Sequence, residues 1–342
     1  MTVLATAAGC GPAALQSRAL FPARFGDAWG YITKEGTVAI QPQYQFAARF
    51  SEGFAHVILP SGRDAFVDGS GRTVFELDWD FGGHFAGGRA LVHTSPPRAQ
   101  WSFVDRLGRR IAPGFSYAKD FSEGLALVGV GEWPSTKFGY IDSSGRMVIP
   151  PRFSGAGSFS QGLAPASEGG LWGYIDRSGR FVLPPKYEDC EPFSEGLAGV
   201  KINGRWGFIN REGQIVIEAT WDGVDSFSEG LATVRQNDLM GVIDKRGAVI
   251  IPPTYDFVGP LKSSRAAVHF GPNYAHSRFR SPDLHPWPCW GYVDAQGKLA
   301  FEKTFERRAE PFNNGLAQVE DAGGMSYINL KGQTVWREPK AE

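Results

Sequence analysis

The chain has 342 residues, with 35 Lys and Arg against 36 Asp and Glu, a net charge of −1 and a pI near 6.6. It carries no basic stripe to neutralise a phosphate backbone, which argues against a nucleic-acid partner, and no run of about 18 apolar residues that would cross a bilayer as a helix. With 44 Gly, 23 Pro and 13% aromatic residues, its composition favours short strands and tight turns over helices.

Residues 1–18 read as an N-terminal tail. Thr2 to Ala8 is a short run of small and apolar residues leading to Cys10, and small residues before a Cys resemble the end of a bacterial lipoprotein signal. The run lacks a basic start and is shorter than a normal signal core. Two readings stand: a truncated lipoprotein-type signal with Cys10 as the candidate lipidation site, or a plain tail.

From residue 19 to 336 one phrase recurs: Trp-Gly-aromatic-Ile-Asp, a Gly three residues on, an apolar strand ending in Pro, then Phe-Ser-Glu-Gly-Leu-Ala. In register, the Trp position falls at Trp29, Ala65, Trp101, Phe138, Trp172, Trp206, Met240, Trp290 and Met325, at steps of 34 to 37 residues apart from one of 50. Such a period marks one supersecondary unit per repeat, stabilised by stacking on its neighbours. Each unit predicts a three-stranded antiparallel meander of about 23 residues and a connection of about a dozen.

The second and third strands of each unit are joined by Asp or Asn with Gly three residues on, as in Asp142 with Gly145 and Asp176 with Gly179. This is a type I turn whose first side chain bonds the backbone, so the acidic row is structural. The Trp position also accepts Ala, Phe or Met, which keeps apolarity and loses the flat face of a stacking platform, and this points to core. The adjacent Gly leaves one strand face bare for a second backbone. In Phe-Ser-Glu-Gly the Phe packs inward, the Gly takes a left-handed turn, and the Glu is expected to accept N–H bonds within its own connection. Gln161 replaces one such Glu, so charge is not required there.

Three complete elements, Trp172-Gly173-Tyr174-Ile175-Asp176 with Gly179, Val182 to Tyr187, and Phe193 to Ala198, resemble the WG repeats, also called KWG repeats. The resemblance implies a bacterial protein of the kind often secreted or held at the envelope, with no catalytic residues to carry over and a binding or scaffolding role. The expected fold is all-β: about nine meanders in an open, twisted stack, with a propeller-like ring as the alternative. No strand is left over at one end to complete a blade at the other, and nine blades exceed the typical four to eight.

Cys190 and Cys289 lie three repeats apart and are expected to be buried free thiols. No Cys or His cluster has metal-ligand spacing, and no cofactor is implied. The pattern breaks most at an insertion over 270–288, where Tyr274, Arg278, Arg280 and Trp287 are residue types that anchor interfaces, and His276 is a candidate binding residue beside them. Trp133 in another long loop joins them as a candidate binding residue. Residues 337–342 read as a C-terminal tail. The expected function is a non-catalytic scaffold for protein interaction, at the envelope if Cys10 is lipidated and otherwise cytoplasmic. The alternatives are a lectin-like binder of cell-wall glycan and, less favoured, a glycosidase.

Overall fold

The computed structural model describes residues 19–77, 81–94, 100–270 and 289–339. Among them the strands form nine antiparallel sheets, at 21–44, 46–76, 81–104, 117–153, 155–187, 189–221, 223–255, 257–294 and 308–337, called blades 1 to 9. Blade 5 shows the plan: Gly155–Ala156, Ala164–Glu168, Leu171–Ile175 and Phe181–Tyr187, each bonded to the next. The last three are the expected meander. The leading two-residue strand falls where the sequence predicts only a connection, because two residues cannot display an alternating pattern.

The turns form as predicted. Gly145 N–H bonds Asp142 O at 2.9 Å, while Asp142 Oδ1 accepts from the N–H groups of Ser144 and Arg146 at 2.9 and 3.1 Å. The glycine after the Trp position also behaves as expected. A Cβ on Gly173 would lie 2.4 Å from Leu183 O, and one on Gly207 2.5 Å from Ile217 O, because the third strand bulges against it.

Two readings of the Trp position need correction. In blade 1, Ile32 pairs with Val38 immediately before the turn residue Thr33; in blade 2, Val67 pairs with Thr73 immediately before Asp68. Counted back from the turn, Asp64 holds the Trp position of blade 2, and Ala65 holds the glycine position. The five Trp residues of this position, Trp29, Trp101, Trp172, Trp206 and Trp290, are half-buried and pack on the margins of apolar clusters. Fully buried instead is the aromatic two residues later: Tyr31, Tyr140, Tyr174, Tyr292 and Tyr327 are at most 1% exposed.

Nine apolar clusters each draw side chains from two consecutive blades. Within them the buried aromatic of one blade stacks on the Phe of the next, as in Tyr140 on Phe159 at 4.9 Å, Tyr174 on Phe193 at 4.7 Å and Phe208 on Phe227 at 4.8 Å. The ninth cluster joins Leu316, Met325, Tyr327 and Trp336 of blade 9 to Phe21, Ala23 and Ile32 of blade 1. Tyr327 Oη donates to Pro22 O at 2.9 Å, and Arg24 pairs with Glu338, a residue of the expected tail, at 2.6 Å.

An open stack would leave two blade faces bare, so the array is a closed nine-bladed ring and not the open stack that the sequence favours. Strand exchange is unnecessary because the last sheet lies face to face on the first. Cys190 and Cys289 are buried and unbridged as expected, and burial pushes the Cys190 thiol up to about 12. Phe270, counted in the insertion, ends the strand Arg265–Phe270 and packs on Tyr255.

Gly207→Ala should therefore lose about 1–3 kcal/mol in denaturant unfolding by forcing strands apart. Val216→Ala, at an exposed position of the same blade, should change stability little. Tyr327→Phe, which removes the closing hydrogen bond and keeps the ring contact, should lose about 1 kcal/mol in the same measurement.

Candidate functional site

The ring has two faces. On one lie the Asp turns and the Phe-Ser-Glu-Gly turns; on the other lie the loops joining the first and second long strands of each blade. On the first face the repeated polar side chains bind the neighbouring blade. Ser51, Ser122, Ser160 and Ser194 each donate through Oγ to the carbonyl of Phe85, Phe159, Phe193 and Phe227 in the next blade, all at 2.6 Å.

Glu52 accepts the N–H groups of Gly87 and Gly88 at 2.8 Å each, and Glu229 those of Ser263 and Ser264 at 2.7 Å. The expectation that these carboxylates bond within their own connection is corrected: each reaches into the next blade. Gln161 does the same through its amide oxygen, accepting from Gly196 at 3.0 Å, which explains why charge is dispensable. Both central residues of these turns have positive φ, as in Glu195 at 51° and Gly196 at 89°, so the turn is type I′ and the Glu side chain is directed sideways along the ring. Burial opposes ionisation of Glu52, but the N–H of Gly88, Arg106 and the N–H of Gly87 outweigh it and hold the carboxyl below its usual range.

The connections converge on the ring axis. Arg49 of blade 2 acts electrostatically on Tyr292 and Tyr327 of blades 8 and 9, and Lys119 of blade 4 acts on Glu191 of blade 6. Blades that are not neighbours approach one another only at the axis. Charges of both signs meet here: Arg49, His84, Lys119 and Asp120 come from blades 2 to 4, and Glu191, Asp225 and Glu310 from blades 6, 7 and 9. Tyr174 and Tyr292 donate to the backbone carbonyls of Glu191 and Glu310 at 2.7 and 2.6 Å, fixing those segments.

Burial pushes the Glu191 carboxyl up, aided by Asp189 and Asp225 and opposed by Lys119; burial also pushes up Asp225, opposed by Arg235. Asp225 is exposed to solvent on this concave wall, so water screens much of that penalty. These axial residues escape sequence reading because only the ring brings them together. Their signal is positional: Lys119, Glu191, Asp225 and Glu310 each stand two residues before the inward Phe.

Of the sequence-predicted binding residues, Trp133 lies in the loop between Leu125–Val130 and Lys137–Asp142 and is 85% exposed. Tyr274, His276, Arg278, Arg280, Trp287 and Cys10 lie outside the described residues. Strands Arg265–Phe270 and Cys289–Asp294 flank residues 271–288 and occupy the places in blade 8 that the Trp133-flanking strands occupy in blade 4. Among the described residues no group of His, Cys, Asp or Glu is arranged to hold a metal, and no helix is long and apolar enough to cross a membrane.

The fold and its repeated turns define a closed β-propeller built from WG units. Residues 29–58, 101–132, 138–172, 172–206, 206–239, 240–270 and 290–323 match the WG containing repeat family, together more than half of the chain, so the protein belongs to that family. No curated protein matches it. Among solved structures it is similar to one described as the crystal structure of the eukaryotic initiation factor, at 12% identity and a TM-score of 0.63, with 93% of this chain and 94% of that chain covered. A weaker likeness is to BamB from Moraxella catarrhalis, at 12% identity and a TM-score of 0.43, with 73% and 91% covered. At such identity the first of these likenesses concerns the fold alone.

A carboxyl raised in the folded state destabilises the fold above its folded pKa, and this penalty vanishes below its unfolded value of about 4. Asp225→Asn should therefore raise the urea midpoint slightly at pH 7, the effect being reduced by solvent screening, and leave it unchanged at acid pH below that value. Equal midpoints at pH 7 would show that Asp225 carries no such penalty.

Proposed function

We propose that the protein is a non-catalytic scaffold that binds a partner protein on the loop face of the ring. The observation that carries this reading is the division of labour between the faces. The repeated Asp, Glu and Ser side chains form turn and inter-blade bonds, whereas Trp133 on the opposite face is an almost fully exposed indole. Large aromatics supply much of the energy of protein interfaces, and an exposed Trp that packs on little of its own chain is suited to that task. The WG repeat family and the propeller fold support a scaffold, since a rigid ring can display loops without paying to order them on binding. Presentation at the envelope would follow if Cys10 carries lipid.

The test compares the intact chain with Trp133→Ala and with a deletion of residues 271–288, each checked for folding by thermal melt. Pull-downs from envelope extract and binding to glycan panels are measured in parallel. A captured protein that is lost from either folded variant supports the reading; capture unchanged in both variants rejects it. Glycan binding in place of protein capture would reject it in favour of a lectin. The mass of the mature protein decides whether Cys10 is lipidated, since the lipid adds a membrane-partitioning tail.

A further inference from the structure

Breaks in the repeat converge on a cavity of about 410 Å³ between blades 2 and 3, whose lining includes Phe46, Arg49, Phe50, His56, Gly83 and His84. That volume is within the range of roughly 300–1,000 Å³ typical of small-molecule sites. Arg49 stands immediately before the inward Phe50, where other blades place Asp120, Ser158, Pro192, Ser226 or Pro260. His56 pairs across the strands with Phe66, and the matching places in blades 3 to 7 hold Leu91, Leu127, Pro165, Gly199 and Thr233. Asp64 stands in the Trp position and holds His56 Nε2 at 2.5 Å, with His56 only 4% exposed. Gly82 replaces the Ala, Cys or Val found three residues before the inward aromatic in other blades, such as Ala118, Cys190 and Val224. Removing a Trp and a side chain here leaves room for the cavity.

The chemistry of the opening is specific. Arg49 is half-buried, and among the described residues it makes no hydrogen bond or ion pair. A partly desolvated guanidinium without a partner is unfavourable, and its planar donors match the two oxygens of a carboxylate or a phosphate. Across the pocket, Phe46 is 40% exposed and its ring lies 6.0 Å from that of His56, which gives an apolar wall next to the cation. His84 adds an imidazole, partly engaged by Asp120 at 3.6 Å. These breaks place a free cation and an aromatic wall in one concavity that none of the turn or inter-blade bonds requires.

We propose that this pocket binds a small organic anion, with its carboxylate or phosphate on the Arg49 guanidinium and its flat apolar body against Phe46 and Phe50. This site is independent of the loop-face reading, so either can fail alone. The probes are benzoate and phenyl phosphate, with benzyl alcohol as the neutral counterpart, titrated into the full chain by calorimetry and by NMR of the histidine imidazoles. At least one anion should bind saturably and shift the His56 or His84 signals, whereas benzyl alcohol should not saturate over the same range. Arg49→Gln should weaken binding tenfold or more, while Arg246→Gln, on an exposed turn, should leave it unchanged; the preferred anion identifies the headgroup. Absence of saturable binding to the wild type, or unchanged affinity in a folded Arg49→Gln protein, overturns the proposal. If Arg49→Gln does not fold, the wild-type imidazole signals decide: titration without a shift overturns it.

Discussion

The ring depends on one repeated contact, the aromatic side chain of a blade's second long strand lying on the inward Phe of the next blade. Ring pairs of this kind combine large apolar burial with a preferred edge-to-face or tilted geometry. The contact therefore fixes the angle between sheets as well as holding them together. In blade 9, Tyr327 meets Phe21 at 5.6 Å and bonds Pro22 O, closing the circle with the same residue type used elsewhere. Where the pair is missing, at Val242 and Leu261, aliphatic packing takes its place.

The polar phrase is built around that contact. The type I′ turn carries Ser and Glu towards the next blade, where they satisfy the carbonyl and N–H groups of the following turn. An unpaired backbone group at such a junction would be costly, so these bonds specify the neighbour as well as adding stability. The Trp-Gly pair acts within a blade. Its Gly admits the bulging third strand, and its Trp seals the margin of the core.

Irregularity then separates structural from free chemistry. In blades 4 to 7 the recurring acids bond to backbone, and the Trp position supports packing. In blades 2 and 3 Asp64, His56, Arg49 and Gly82 depart from the pattern together. Along the axis, Glu191 and Asp225 are carboxyls whose ionisation opposes folding, the reverse of the Asp turns, where Ser144 helps to hold Asp142 down at about 2. Residues that depart from the pattern at a cost to stability are candidates for function.

The sequence by itself determined what is local: the repeat, its antiparallel meander, the Asp turn and the close approach at Gly173, because each depends on residues adjacent in the chain or one hairpin apart. The WG resemblance was legible for the same reason. It misplaced Ala65 by one position, since a degenerate unit offers no Trp to anchor the count. It also missed the two-residue strands and the inter-blade direction of Glu52. Only the tertiary structure decided closure, the meeting of charged residues at the axis and the pocket at Arg49. Each of these depends on the angle between successive sheets, and that angle, summed over nine blades, brings residue 327 onto residue 22 without leaving a trace in any single repeat.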